Sequence, residues 1–234
     1  MAVQLPVTFE FRANQTFDDY YPGSNKEIID QLRKTVAGTG EQYIFLWGEE
    51  GYGKSHLLQA CCHEAFHQDI TAFYLDISDS ASTDPELFTG LEGFEIVCLD
   101  NIDALAGRED WELAFFNFFN QHRDQGNRLI LSATCTPNAL ALAFTLPDLR
   151  TRINWGLSLK IQPLDDNDKI AALNHKAQQM GFDIAPQAAR FLLTHYDRRL
   201  TSLWLILDKL DWASLAAKRK LTIPFLKQIL SQRD

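Results

Sequence analysis

Residues 43–55 read YIFLWGEEGYGKS, and this stretch decides the fold. Residues 43–47 form an uninterrupted apolar run, which is typical of a parallel strand buried on both faces. Residues 48–55 then match the spacing G-x-x-x-x-G-K-[ST], and residues 54–67 have the pattern of a helix. A glycine-rich turn between a strand and a helix aims backbone N–H groups at an anion. The stretch therefore predicts a phosphate-binding P-loop and a bound nucleotide.

The residue types in this loop fit the chemistry of a bound phosphate. Gly51 and Gly53 permit the backbone conformation that turns several N–H groups inward. Lys54 adds a point charge, and the hydroxyl of Ser55 is expected to ligate Mg²⁺. We predict that the nucleotide and its metal ion contact Gly48, Glu50, Gly51, Tyr52, Gly53, Lys54, Ser55 and His56.

Further strands and a helix follow the P-loop. Short apolar runs predict strands at 71–76, 96–100, 128–132 and 157–161. A helix is predicted at 111–122, and the side chains expected on its buried side are Phe115, Phe116, Phe118 and Phe119. Such alternation of strands and helices is typical of a doubly wound α/β core with a parallel sheet.

The pattern changes after Pro163, where the strands stop. The remaining segments have helical spacing and predict helices at 168–180, 186–195, 200–215 and 223–230. We therefore expect three parts, which are a flexible N-terminal tail at 1–16, an α/β nucleotide-binding core at 17–162 and a small all-helical lid domain at 163–234.

Residues 96–101 read IVCLDN, a strand that ends in an aspartate. Downstream of a P-loop, this pattern indicates a Walker B element, in which Asp100 holds Mg²⁺ through water. Asn101 stands where many P-loop ATPases carry a second carboxylate. Because an amide cannot accept a proton, we expect the chain to hydrolyse its own nucleotide slowly.

The composition limits the classes of function. The 31 Asp and Glu residues against 22 Lys and Arg give a net charge of −9, which argues against a broad nucleic-acid surface but leaves a local basic patch open. None of the four cysteines forms a C-x-x-C pair, so we expect reduced thiols and no zinc site. The N-terminus lacks the pattern of a signal peptide, and no apolar stretch is long enough to span a bilayer. A cytoplasmic location is therefore expected.

The order of these motifs resembles the AAA+ family of ATPases. Residues 149–157, LRTRINWGL, are similar to the R-F-G-W-G-L segment of the bacterial replication initiator DnaA. Residues 15–20, QTFDDY, resemble the T-F-D-x-F segment with which that family's ATPase core begins. The resemblance follows the motif order from residue 16 to residue 230. We do not expect it to extend to the helix-turn-helix domain by which the initiator reads DNA.

A DnaA-like core with Asn101 after the Walker B aspartate, and with the tail QLPVTF at residues 4–9, resembles the Hda family of regulators. That family promotes hydrolysis of initiator-bound ATP while attached to the DNA polymerase sliding clamp. The tail is similar to the clamp-binding pattern Q-x-x-L-x-F, with valine in place of leucine. An amide and apolar anchors suit a groove. The implied clamp-binding residues are Gln4, Leu5, Val7 and Phe9.

The resemblance implies roles for residues outside the P-loop. Arg152 matches the arginine finger, which enters the nucleotide site of a neighbouring molecule and stabilises charge on the transferred phosphoryl group. Arg150 is its nearest rival. Thr134, or alternatively Ser132, matches the sensor at the end of the fourth strand.

The resemblance also implies contacts to the base and to the phosphates. Arg198 or Arg199 would supply the second sensor, although the family's arginine can instead align with Thr201. The implied resting ligand is ADP, with ATP as the alternative, together with Mg²⁺. The segment that packs on the base resembles Tyr20, Tyr21 and Pro22.

Two other classes of protein use the same loop. A small-molecule kinase needs an arginine-rich lid and an acceptor site, and the sequence shows neither. An AAA+ helicase loader or transposition helper would bind DNA in a salt-dependent manner. The acidic charge and the clamp-like tail argue against it. The implied partners are therefore the clamp, DnaA and the nucleotide, with no sequence-specific DNA binding and with self-association left open.

Overall fold

The computed structural model describes residues 15–78 and 84–217, together with residues 224, 226 and 227. The predicted tail falls almost wholly outside these residues, as does most of the predicted helix at 223–230. Outside them too lie the predicted clamp-binding residues Gln4, Leu5, Val7 and Phe9.

Five parallel strands form one sheet in the order β2-β3-β4-β1-β5. The strands are β1 (Tyr43–Trp47), β2 (Ala72–Asp76), β3 (Ile96–Asp100), β4 (Arg128–Ala133) and β5 (Leu157–Lys160). The central strands are almost wholly buried, as their apolar runs require. The predicted α/β class with a parallel sheet is confirmed, and the carboxyl ends of the strands meet at one edge.

One face of the sheet is covered by α1 (Lys26–Val36) and α2 (Lys54–His67). Alternate residues of a strand point to opposite faces, and Ile44, Ile96 and Ile130 point to this one. They form a closed hydrophobic cluster with the apolar sides of both helices. This packing fixes α2, and therefore the loop that leads into it.

The opposite face is covered by α3 (Glu109–Asp124), α4 (Pro137–Ala143) and α5 (Pro147–Arg152). Phe45 and Leu99 point to this face and pack against the aromatic side of α3. The short helices α4 and α5 join the same cluster. The position of α5 is therefore set by the sheet and by α3.

The structure corrects one expectation for this face and adds two helices that were not predicted. Phe116 is half-buried rather than buried, and its ring lies under the guanidinium of Arg152 instead of in the hydrophobic cluster. The helices α4 and α5 were not predicted, since segments of 7 and 6 residues are too short to show a helical period. Their signal is a proline in the first turn, Pro137 and Pro147.

Three helices follow the sheet, namely α6 (Asp166–Gln179), α7 (Pro186–His195) and α8 (Leu200–Ala217). They build a third hydrophobic cluster around residues such as Leu173 and Leu192, apart from the two clusters of the core. The predicted helical region after the sheet is confirmed, while the limits of the three parts stay predictions.

The four cysteines are free thiols. Cys61, Cys62 and Cys98 are buried, and Cys135 is half-buried. Within the described ranges, no group of three metal-ligating side chains comes together. No helix of that part of the chain is long and apolar enough to cross a membrane.

Candidate nucleotide-binding site

The P-loop connects the carboxyl end of β1 to the first residue of α2. Gly51 and Gly53 have φ angles of +81° and +92°, in the region that favours glycine. At Gly53 a Cβ atom would also stand 2.6 Å from Cε2 of Tyr20. Glycine is therefore required at this position both by the backbone conformation and by the close approach of an aromatic ring.

Lys54 is the buried cation of the loop, with only 5% of its surface exposed. Its Nζ donates to the carbonyl oxygens of Gly48 at 2.8 Å and of Glu49 at 3.0 Å. Burial lowers the pKa of Lys54, and the charges of Asp100 and Asp103 oppose that shift. Two neutral carbonyls satisfy the ammonium without cancelling its charge, so the loop keeps a positive centre that suits a phosphate.

Asp100 lies at the carboxyl end of β3 and is fully buried. Its carboxylate accepts hydrogen bonds from the hydroxyl of Ser132 and, at 2.9 Å, from the hydroxyl of Tyr74. Burial raises the pKa of Tyr74, and the charge of Asp100 adds to the shift, so this phenol stays a donor. The two bonds hold a carboxylate at the edge of the sheet where the P-loop begins.

Asn101 adopts a left-handed conformation with φ +56°. Its Nδ2 donates to Oδ1 of Asp76 at 2.9 Å, and its backbone N–H donates to Oγ of Ser132 at 3.1 Å. The amide of Asn101 therefore points to the neighbouring strand β2, where it donates to the carboxylate of Asp76.

Asp103 is a carboxylate beside this site that sequence reasoning missed. Its Oδ2 accepts from Oγ1 of Thr134 at 2.5 Å, while its Oδ1 is buried without a hydrogen-bond partner among the described residues. The two sensor candidates thus contact different acids. Thr134 donates to Asp103, and Ser132 donates to Asp100. The only sequence signal for Asp103 is its place three residues after the Walker B aspartate.

The segment Tyr20–Pro22 lies between the P-loop and α6. Tyr20 donates to the carbonyl of Tyr52 at 3.3 Å and packs edge-on against His56, and burial raises the pKa of Tyr20 to about 12. Tyr21 lies 6.3 Å from the ring of His175 on α6. The structure therefore brings this segment, the loop and the helical region together, and leaves Pro22 at the start of the turn that precedes α1.

Arg198 and Arg199 are exposed and pair with nearby carboxylates. Arg198 bonds to Asp166 at the start of α6, and Arg199 bonds to Asp197 at 2.6 Å. These contacts lie within the helical region. The structure thus does not bring either side chain to the P-loop, and the role of second sensor stays a prediction.

Arg152 is the last residue of α5 and lies far from the P-loop of its own chain. The residues after it reach the amino end of β1, where Tyr43 bonds to the carbonyl of Ile153 and a Cβ at Gly156 would overlap Tyr43. The P-loop starts at the other end of β1, about 13 Å away at ~3.3 Å per residue. Arg152 therefore lies toward the amino edge of the sheet, whereas the P-loop leaves the carboxyl edge.

Arg150 lies two residues earlier on the same helix but is held differently. Its Nε donates to the carbonyl of Phe144 at 2.8 Å, which fixes it to the loop before α5. Arg152 instead rests on α3, with its Nε on Oδ1 of Asn120 and its guanidinium over the ring of Phe116. The two candidates for the finger therefore have different supports.

A P-loop and a Walker B strand on this five-stranded parallel sheet, followed by a helical region, define an AAA+ ATPase domain. Residues 11–160 match the family described as the bacterial DnaA ATPase domain, and residues 166–230 match the one described as the Hda lid domain. The chain belongs to the DnaA-related family of AAA+ ATPase domains and carries the lid domain of Hda.

Solved structures share this fold. Domain III of the Thermotoga maritima replication initiation protein DnaA is 19% identical, with a TM-score of 0.77 over 94% of this chain and 96% of that chain. AMPPCP-bound DnaA from Aquifex aeolicus is 20% identical, with a TM-score of 0.72 over 85% of this chain. A replication initiator DnaA bound to AMPPCP and single-stranded DNA is also 20% identical, with a TM-score of 0.72 over 85% of this chain. The chain spans 65% of the length of each of these two DnaA chains.

Proposed function

We propose that this protein is a nucleotide-binding AAA+ regulator that stimulates hydrolysis of ATP bound to the replication initiator DnaA. In this proposal it acts while attached to the DNA polymerase sliding clamp, and it so represses renewed initiation. The observation that carries the proposal is the position of Arg152, on the side of the sheet away from its own P-loop. In this proposal the arginine serves the nucleotide of a neighbouring molecule rather than that of its own chain.

The chain itself is proposed to hold ADP or ATP with Mg²⁺. The buried charge of Lys54 and the N–H groups of the loop fit the phosphates, and the segment Tyr20–Pro22 fits the base. Ser55 and Asp100 would hold the metal ion, which neutralises phosphate charge when it is bound. The buried Asp100 carboxylate, fixed by two hydroxyl donors, and the Ser55 hydroxyl would be oxygen ligands of the kind that Mg²⁺ prefers.

Hydrolysis of the chain's own nucleotide is proposed to be slow. Asn101 donates its amide hydrogen to Asp76 and presents no carboxylate that could accept a proton from water. The nucleotide then serves mainly to order the core against the helical region, because Tyr20 contacts the loop and Tyr21 contacts α6. The chain would act as an activator of a partner's ATPase rather than as an efficient ATPase.

DnaA is the proposed partner because it belongs to the same family of ATPase domains. AAA+ sites are completed by an arginine from a neighbour, and a DnaA-like core can dock on DnaA as a further copy would. A guanidinium in that position stabilises the charge that develops on the phosphoryl group, an effect of about 10³–10⁵ in rate.

The sliding clamp is proposed as the second partner on the sequence of residues 4–9 alone. Gln4 supplies an amide, and Val7 and Phe9 supply apolar anchors for a groove. The negative charge of the chain supports protein partners rather than sequence-specific DNA binding, and the protein is proposed to work in the cytoplasm.

The test is hydrolysis of ATP preloaded on a DnaA initiator, measured with this protein, ADP and clamp loaded on DNA. We expect hydrolysis to accelerate when all components are present and to return to the basal rate when either the regulator or the clamp is left out. No acceleration by a folded, ADP-binding protein would overturn the proposed function.

A further inference from the structure

The helix that ends in Arg152 is attached to α3 at both of its ends. At the start, the buried carboxylate of Glu112 accepts hydrogen bonds at 2.8 Å from the N–H groups of Thr145 and Leu146, just before α5. The same carboxylate accepts from the N–H of Gly107, in the segment that follows the Walker B strand. Burial alone would raise the pKa of Glu112, but these hydrogen bonds outweigh it and lower the pKa, so the group stays ionised.

At the other end, two side chains of α3 hold the guanidinium of Arg152. Oδ1 of Asn120 accepts from Nε at 2.8 Å, and the ring of Phe116 lies 4.2 Å below the guanidinium carbon. Phe116 and Asn120 are four residues apart and therefore share one face of α3. Two weaker supports lie outside α3. They are the carbonyl of Asp148, 3.4 Å from Nη1, and the ring of Trp155, 5.6 Å from the guanidinium carbon.

The chemistry of these supports preserves the charge of Arg152. An amide oxygen and an aromatic face are both neutral, and no carboxylate pairs with Arg152 among the described residues. The bond to Asn120 uses Nε, which leaves the terminal Nη groups with the weaker contact to Asp148. The guanidinium is thus oriented while its outer donors stay available to a phosphate.

We propose that Asn120 and Phe116 are positioning residues that preset the guanidinium of Arg152 for the ATP of the partner. This inference rests on the proposed function, since it assigns these two side chains to the same arginine finger. Arginine is flexible, and a finger that is already aimed reaches the phosphoryl group without losing further side-chain freedom. Without these two contacts the regulator would still dock on its partner, but the Arg152 side chain would adopt the productive orientation for only a fraction of the time.

The contact itself is tested without any partner, by the ¹⁵N NMR signal of the Nε–H of Arg152. Arg152→Lys identifies the signal because it removes that group. We expect slow exchange with solvent in the wild-type protein and in Asn120→Asp, which keeps the acceptor oxygen, and fast exchange in Asn120→Ala. The matched control is Asn117→Ala, an exposed asparagine on the same helix, which should leave the signal unchanged.

The functional role is tested by stimulated single-turnover hydrolysis on the initiator at increasing regulator concentration. Asn120→Ala should lower the maximal rate by about 10–100-fold, the scale for a displaced catalytic group. The regulator concentration that gives half of the maximal rate should not change. Asn120→Asp keeps the acceptor oxygen but pairs a carboxylate with the guanidinium, so its maximal rate should also fall below that of the wild type. Phe116→Leu, which keeps apolar volume without the π face, should fall between the wild type and Asn120→Ala. Adding Asn120→Ala to Arg152→Ala should cause no further loss.

The outcomes separate this inference from the proposed function. A maximal rate of Asn120→Ala equal to that of the wild type overturns the positioning role, whatever the exchange rate. A rise in the half-maximal concentration without a change in maximal rate also overturns it, since that would mean a docking contact. If the wild-type protein does not stimulate hydrolysis, the proposed function fails and the positioning role with it, although a protected Nε–H would still establish the contact.

Discussion

Nδ2 of Asn101 donates a hydrogen bond to Oδ1 of Asp76 across 2.9 Å. Asp76 ends β2 and is in register with Asp100 at the end of β3, so three polar side chains meet at one corner of the sheet. Oδ1 of Asp76 also accepts from the hydroxyl of Ser78. Asn101, the residue after the Walker B aspartate, therefore donates a hydrogen bond to the neighbouring carboxylate of Asp76. This bond gives the amide a structural role in addition to its proposed effect on hydrolysis.

A carboxylate at this position should destabilise the fold. In Asn101→Asp the donor is lost and two carboxylates face each other, so we expect the free energy of unfolding to fall by about 1–2 kcal/mol at neutral pH. Urea denaturation measures the loss. The matched control is the swapped pair, Asp76→Asn with Asn101→Asp, which restores one amide and one acid and should recover most of the stability. Equal stability of the single variant and the wild type would refute the role of this bond.

The second prediction concerns the buried cation of the P-loop. Lys54→Ala removes the positive centre that Gly48 and Glu49 hold in place, so we expect ADP to bind about 10–100-fold more weakly. Calorimetric titration gives the affinity, and circular dichroism confirms that the variant is folded. Lys34→Ala, at an exposed position of α1, is the matched control and should bind ADP as the wild type does. Unchanged affinity of Lys54→Ala would contradict the assignment of the loop.

The third prediction concerns residues 4–9. A short linear peptide loses conformational freedom when it docks, so its affinity for the clamp should be modest. Deletion of residues 1–10 should abolish binding to the clamp and leave the affinity for ADP unchanged. Replacement of Val7 by leucine, which restores the full pattern, should strengthen binding. A truncated protein that binds the clamp as well as the full chain would show that the contact lies elsewhere.

The fourth prediction concerns acid stability. Burial lowers the pKa of His122 to about 4, against an opposing hydrogen bond with the carbonyl of Phe94. In the folded protein, His122 is therefore protonated only at a pH well below 6.5, which is about its pKa in the unfolded chain. The stability that the folded protein gains from keeping His122 neutral is fully present above pH 6.5. This stability is lost as the pH falls toward 4. Between pH 7 and pH 5 the loss from this one group is about 2 kcal/mol.

His122→Gln keeps a donor for the carbonyl of Phe94 but cannot titrate, so it should flatten the dependence of unfolding free energy on pH in this interval. A smaller slope should remain, because burial also lowers the pKa of His56. His67→Gln, at an exposed position of α2, is the control. An unchanged slope in His122→Gln would mean that folding does not lower the pKa of this histidine.

The sequence predicted those parts of the fold that depend on neighbouring residues. The strand Tyr43–Trp47 and the helix Lys54–His67 have the predicted bounds, because an apolar run and glycines mark them locally. The strand Ile96–Asp100 was equally clear for the same reason. The polar residues at the ends of these strands meet at one edge because the sheet is parallel.

The sequence did not predict contacts between distant residues. Glu112 looks like a surface residue of a helix, yet it is fully buried because it accepts bonds from a segment 33 residues later in the chain. Asn120 and Arg152 are 32 residues apart, and Asn101 and Asp76 are 25 apart. A periodic pattern carries no information on such pairs. They arise from the packing of α3 against α5 and of β2 beside β3.

The most direct test of the account is single-turnover hydrolysis of radiolabelled ATP on DnaA with wild-type or Arg152→Ala regulator, with ADP and clamp on DNA. We predict that Arg152→Ala binds nucleotide and clamp normally but loses stimulation by about 10³–10⁵-fold, and that Arg152→Lys recovers little, because lysine lacks the planar fork. Arg150→Ala, on the same helix, should stimulate as the wild type does. Full stimulation by Arg152→Ala, with or without a loss in Arg150→Ala, would contradict the account.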